Sequence, residues 1–174
     1  MAPTGDSGPR ESIDPDGRSS PAHRLLKHEL REARHTLSAS ESTLPLVHAI
    51  IDLAFEKKAF TPRVYDVAAL TGYTDYVVVL SGRSDRQVRA IADHVAGTLK
   101  QDHGVRTLGI EGEDLSQWIL IDLGDVVVHV FNAPVRDYYD LDGLFQDAPR
   151  VPVDDPPWES EIRDAVYEQP AYSP

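Results

Sequence analysis

Asp122 and Asp125 are the residues of this chain whose type and spacing first suggest chemistry. They bracket Leu123-Gly124 within the stretch from Glu111 to Phe131, E-G-E-D-L-S-Q-W-I-L-I-D-L-G-D-V-V-V-H-V-F. Two carboxylates that hold divalent metal ions, with a glycine-serine turn at a helix start, are the parts of a nucleotidyltransferase. Gly82-Arg83-Ser84 could supply the turn. The spacing opposes this reading. Side chains alternate along a strand, so two ligands on one face need an even separation. Asp122 and Asp125 are three apart with Gly124 between them, and no third carboxylate forms a D-x-D pair nearby. Gly82-Arg83-Ser84 lacks the lysine and the spacing of a P-loop and is not G-x-G-x-x-G. A turn followed by an N-cap accounts for it. The seven histidines, at 23, 28, 35, 48, 94, 103 and 129, form no H-E-x-x-H or other close ligand pair. His94, beside Asp93, and His129 read as structural histidines. No catalytic residue, metal ligand set or cofactor site is assigned.

The elements that must position these residues follow from periodicity. Trp118–Leu123 and Val126–Phe131 are apolar runs rich in Val, Ile and aromatics on either side of a Gly-Asp corner, the local chemistry of a β-hairpin. Leu46, Val47, Ile50, Ile51, Ala54 and Phe55 form one broad helical face after Pro45. Val64–Leu70 and Asp75–Leu80 read as strands on either side of Gly72. Ser84 and Gln87 form an S-x-x-Q capping box, and Val88, Ile91, Ala92, Val95 and Leu99 repeat behind it at helical spacing until Gly104. Val105–Ile110 reads as a third strand, parallel to the second across the helical crossover. Arg136–Phe145 reads as a short closing helix. The expected fold is α/β (α+β): one domain, 43–149, with a mixed, about five-stranded sheet flanked by helices.

Outside that domain, residues 1–42 read as an extension with a disordered start and an amphipathic helix carrying Leu26, Leu30, Ala33 and Leu37. Residues 150–174 read as an acidic, Pro-rich tail in which Trp158, Ile162, Val166 and Tyr167 could mark a short helix. The net charge is −12, and residues 44–149 hold 9 Lys+Arg against 16 Asp+Glu. Such a surface gains little from phosphate backbones, so direct DNA or RNA binding is disfavoured and a basic protein partner is favoured. There are no cysteines. No apolar run approaches a membrane span, and residues 1–16 lack the apolar stretch of a signal peptide. The expected location is the cytoplasm.

The series T-D-Y-V-V-V (74–79), S-G-R-S-D-R-Q-V (81–88), I-A-D-H-V (91–95), E-G (111–112), W-I-L-I-D-L-G-D-V-V-V-H-V-F (118–131) and Y-Y-D-L (138–141) resembles the ribosomal silencing factor, or Iojap-like, family over about residues 44–149. The resemblance implies a fold related to the nucleotidyltransferases without their catalytic residues. It implies a non-enzymatic translational repressor that binds the large ribosomal subunit through its fourteenth ribosomal protein and blocks joining of the small subunit. It also implies a homodimer. On that reading Trp118 is an interface anchor, against the alternative that it packs in the core. Glu111, Asp122 and Asp125 would meet basic groups of the partner, and Tyr138, Tyr139 and Asp140 would border the same surface. The alternatives are a metal- or nucleotide-binding enzyme of nucleotidyltransferase type and an interaction module with a non-ribosomal partner.

Overall fold

A computed structural model of the chain describes residues 42–168. The expected N-terminal helix with Leu26, Leu30, Ala33 and Leu37 lies outside them. In chain order the elements are α1 (residues 42–56), β1 (Phe60–Asp66), β2 (Tyr76–Gly82), α2 (Asp85–Asp102), β3 (Gly109–Glu111), β4 (Trp118–Asp122), β5 (Val126–Asn132), α3 (Ala133–Tyr139), α4 (Leu141–Leu144), β6 (Arg150–Val151) and α5 (Glu159–Tyr167).

One mixed sheet runs β3-β4-β5-β2-β1-β6. The hairpin is as expected: β4 and β5 are antiparallel from Trp118↔Phe131 to Asp122↔Val127. At its corner the Leu123 N–H donates to the Val126 carbonyl at 2.9 Å, and Gly124 takes φ +87°, a conformation that costs glycine little. The parallel pair is β2 with β5, from Tyr76↔Val126 to Gly82↔Asn132. The third strand shares the sense of β2 but does not lie beside it, since the crossover passes over β5 and β4 to reach the sheet edge. It is also shorter than the expected Val105–Ile110. Gly104, at φ +66°, turns the chain so that the Val105 N–H caps α2 at the Leu99 carbonyl, and pairing begins only at Gly109.

Alternation along β4 and β5 sorts the side chains onto two faces. Ile119, Ile121, Val126, Val128 and Val130 pack with Val78 and Leu80 beneath α1 and α2. The α2 residues buried there are the five whose spacing predicted the helix. Half of the predicted cap is present, with the Ser84 hydroxyl accepting from the Gln87 N–H at 3.3 Å, while the Gln87 side-chain oxygen accepts from the Arg83 N–H at 2.7 Å instead of from Ser84. The Gln87 amide in turn donates to the Lys57 and Lys58 carbonyls at 3.0 Å, tying α2 to the end of α1. On the opposite face Tyr65, Val77, Val79 and Phe131 pack under Val135, Leu141 and Phe145.

Three further segments differ from expectation. β1 begins at Phe60, not Val64, and stops at Asp66. Pro62 is tolerated because a bulge separates Phe60 from Arg63 and because β6 pairs only with Val64 and Tyr65. The closing helix starts at Ala133, with Pro134 in its first turn, and breaks at Asp140, which adopts φ 47°, ψ 48°. Residues 150–167, read as a tail, add a sixth strand and α5. Ile162 is buried with Phe60 and Ala133, and the Trp158 indole donates to the Ala59 carbonyl at 3.0 Å. The Glu159 carboxylate holds Thr61 by its N–H and its hydroxyl, both at 2.6 Å.

Candidate functional site

The face of β3-β4-β5 turned away from α1 and α2 presents Trp118, Leu120 and Asp122 from β4, with Glu111 directly across from Leu120. Three of the expected contact residues, Trp118, Glu111 and Asp122, therefore share one surface, as strand alternation requires. Four strand steps of about 3.3 Å separate Trp118 from Asp122, so the surface is about 13 Å long.

Trp118 is half-buried, which reconciles its two readings. One ring face packs on the Phe131 ring, centroids 4.8 Å apart and 21° from parallel, and its N–H donates to His129 Nδ1 at 3.0 Å. Tyr139 from α3 closes against it at 5.0 Å, and Tyr138 meets Tyr139 edge-on at 5.2 Å. Tyr138 is 83% exposed and Tyr139 55%, so the aromatic group is open to solvent on the side away from the sheet. His129 is buried, and desolvation lowers its pKa to about 4. The ring is neutral at physiological pH. Because Nδ1 accepts from the indole, the proton of the neutral ring sits on Nε2.

Asp122, Asp125 and Asp140, among the expected residues, have turn roles. The Asp122 side chain accepts from the Gly124 N–H at 2.8 Å. Asp125 is exposed at the corner and its carbonyl accepts from the Asp75 and Tyr76 N–H groups, at the far end of the hairpin from Trp118. Asp140 caps α4 through the Gly143 N–H at 3.1 Å. Asp85, at the start of α2, accepts from the Asn132 amide at 2.7 Å. Among the described residues no three His, Asp or Glu side chains are grouped to hold a metal ion.

Sequence reasoning missed a support behind α3. Arg136 is buried and makes a forked bond to Asp142, Nε at 2.7 Å and Nη2 at 2.9 Å. Its Nη1 reaches the Thr61 carbonyl at 2.6 Å and the Ser81 hydroxyl at 2.8 Å. Burial pushes the Asp142 carboxyl up, but the bonds and charge of Arg136 outweigh it and hold the group below its usual value. Tyr65 donates to the same carboxylate at 2.6 Å, and its hydroxyl is raised to about 12 by burial and by Asp142. This network fixes α3, and with it Tyr138 and Tyr139, to the centre of the sheet. The only local signal was an arginine within an otherwise amphipathic turn.

The model of the family described as "Ribosomal silencing factor during starvation" matches residues 40–173. The chain belongs to the ribosomal silencing factor family. Among its relatives, a ribosomal silencing factor of Bacillus subtilis is 37% identical over 114 residues, 66% of this chain and 93% of the relative. Another, of Chromobacterium violaceum, is 45% identical over 80 residues, 46% of this chain and 65% of the relative. A crystal structure of a protein from C. violaceum superposes with a TM-score of 0.57 at 37% identity, over 59% of this chain and 85% of the other. One from Bacillus halodurans does so with a TM-score of 0.56 at 33% identity, over 63% and 99%. The family match extends through β6 and α5, in agreement with their packing into the domain. Among the described residues no helix is long and apolar enough to cross a membrane.

Proposed function

We propose that this silencing factor is a non-catalytic translational repressor that binds the large ribosomal subunit through its fourteenth ribosomal protein and stops the small subunit from joining. The observation that carries the proposal is the open aromatic group of Trp118, Tyr138 and Tyr139, with Glu111 and Asp122 farther along the Trp118 face of the sheet. Solvent-facing aromatics and carboxylates on one surface suit a basic protein partner, since aromatic anchors dominate contact energies and charge complementarity guides encounter. Family membership supports the ribosomal setting. So does a mouse relative, 29% identical over 104 residues, whose name is mitochondrial assembly of ribosomal large subunit protein 1. Repression then needs only a body placed where the other subunit must dock.

On this reading the protein acts in the cytoplasm, forms a homodimer when free, and uses neither DNA nor a membrane. Asp125, at the distal corner, and Asp140, tied into the α4 cap, contribute at the margin, and Trp118 is the anchor. Cosedimentation of the purified chain with large subunits tests the assignment. Trp118→Ala is expected to weaken binding about thirtyfold, the 2 kcal/mol of an interface hot spot, while the circular dichroism spectrum stays that of a folded domain. Equal binding by the folded variant would remove Trp118 from the interface.

A further inference from the structure

Beside the aromatic group, the loop between β3 and β4 and one side of α3 border a concavity of about 340 Å³. One wall is the Trp118–Tyr139 pair, and Leu115 and Val135 supply further apolar surface. Asp114 is the one charged residue that lines it.

The loop is held in shape without Asp114. Gly112 sits at φ +86°, where a side chain would drive into the Trp118 carbonyl, and its own carbonyl accepts from the Ser116 N–H at 3.0 Å. The Ser116 hydroxyl donates to the Glu113 carbonyl at 2.8 Å. Arg89 of α2 takes that same carbonyl at 3.0 Å and the Glu113 carboxylate at 3.3 Å. Glu113 thus shares the Arg89 guanidinium, whose Nε also holds Asp93 at 3.1 Å. Asp114 is exposed, and among the described residues it has no hydrogen-bond or ion-pair partner.

Two aromatic rings, an apolar lip and a single unpaired carboxylate complement a planar cation on an apolar stem. A guanidinium stacks on aromatic faces and pairs with a carboxylate through two parallel N–H donors. A lysine ammonium, a compact and strongly hydrated charge, uses the ring faces less well. Leu115, 74% exposed, lines the same concavity and offers apolar surface to the methylene stem of such a side chain.

We propose that this concavity receives an arginine side chain of the protein partner, with its guanidinium laid on the Trp118–Tyr139 rings and its charge met by Asp114. The identity of the partner rests on the large-subunit reading above; the chemistry of the occupant does not.

The test is equilibrium binding of the full chain to purified large subunits. Asp114→Asn is expected to weaken binding by about five- to tenfold, the size of a partly desolvated charge pair. Asp114→Lys should abolish it. Asp52→Asn makes the same charge change on α1, across the sheet, and should leave the affinity within about twofold, as distant charges are screened. Each arginine of the fourteenth large-subunit protein is then replaced by alanine and paired with Asp114→Asn in a double-mutant cycle. One arginine is expected to be non-additive with Asp114. If the unaltered chain binds but Asp114→Asn binds equally well, or if every arginine is additive, the arginine pocket is wrong while large-subunit binding stands. If the unaltered chain does not bind large subunits, the functional reading falls and takes this occupant with it.

Discussion

Protonating His129 is the perturbation that reaches the Trp118 surface most directly. The ring is 7% exposed and accepts the indole N–H through Nδ1 at 3.0 Å. A charged imidazole has a donor on both nitrogens, so that bond would become a contact between two donors. Its pKa falls from 6.5 to about 4 by desolvation. At 1.36 kcal/mol per pH unit, the folded state prefers the neutral ring by about 3 kcal/mol. The folded value lies below the unfolded one, so this contribution is fully present above pH 6.5. It declines as pH falls from 6.5 towards 4 and is gone below that.

His129→Gln keeps an acceptor for the indole and removes the titration. Urea unfolding of both proteins, followed by circular dichroism at pH 7, 6, 5 and 4.5, isolates the effect, because carboxylates such as Asp142 titrate in both and cancel. The stability of the unaltered protein relative to the variant is expected to drop by most of about 3 kcal/mol across that range. Tryptophan emission should shift with it, since Trp118 loses its partner. Parallel pH profiles for the two proteins would refute the buried neutral histidine and the fixed indole together.

Two further outcomes follow from the supports of the site. Asp142→Asn leaves the Arg136 guanidinium, with a side chain only 6% exposed, buried and unpaired, and should cost about 3 kcal/mol in chemical denaturation. Because the Asp142 carboxyl is held below its usual value, the gap persists above the ordinary carboxylate range, about pH 4, and closes only as pH falls through the lower folded value. Trp158→Ala removes the edge contact with Phe55 at 5.7 Å, the Lys58 ammonium at 3.8 Å and the bond to Ala59. It should lower stability by about 3 kcal/mol in thermal or urea unfolding; a loss below about 0.5 kcal/mol would show that α5 is not part of the cooperative unit.

Where local chemistry and tertiary packing agree, the chain is readable in advance. Ser84 and Gln87 cap α2, and its five apolar residues meet the sheet at the expected spacing, because one helix face has one place to go. The hairpin is equally plain, and strand alternation alone sets Trp118 and Asp122 on a common face. Residues 150–167 offered the short helix of Trp158, Ile162, Val166 and Tyr167 but not its place in the domain, for the opposite reason. Their prolines and carboxylates resemble a solvated tail, and apart from Ala133 the groups that Ile162 and Trp158 pack on, Phe60 and Ala59, lie far back in the chain, Ala59 by 99 residues. The start of β1 is hidden in the same way, since Glu159 holds Thr61 at φ 48° from 98 residues away. At the site, composition suggested Trp118 and the acids but not their division of labour. Asp122 and Asp140 are partly committed to turns, and the charged residue that lines the concavity at the aromatic rings is Asp114.

Steric repression is read out by subunit joining, followed by light scattering as small subunits are mixed with large subunits pre-saturated with the full chain. Joining is expected to fall in proportion to occupancy, and Trp118→Ala, at the same concentration, is expected to restore it. Normal joining by large subunits shown to carry the protein would contradict steric repression.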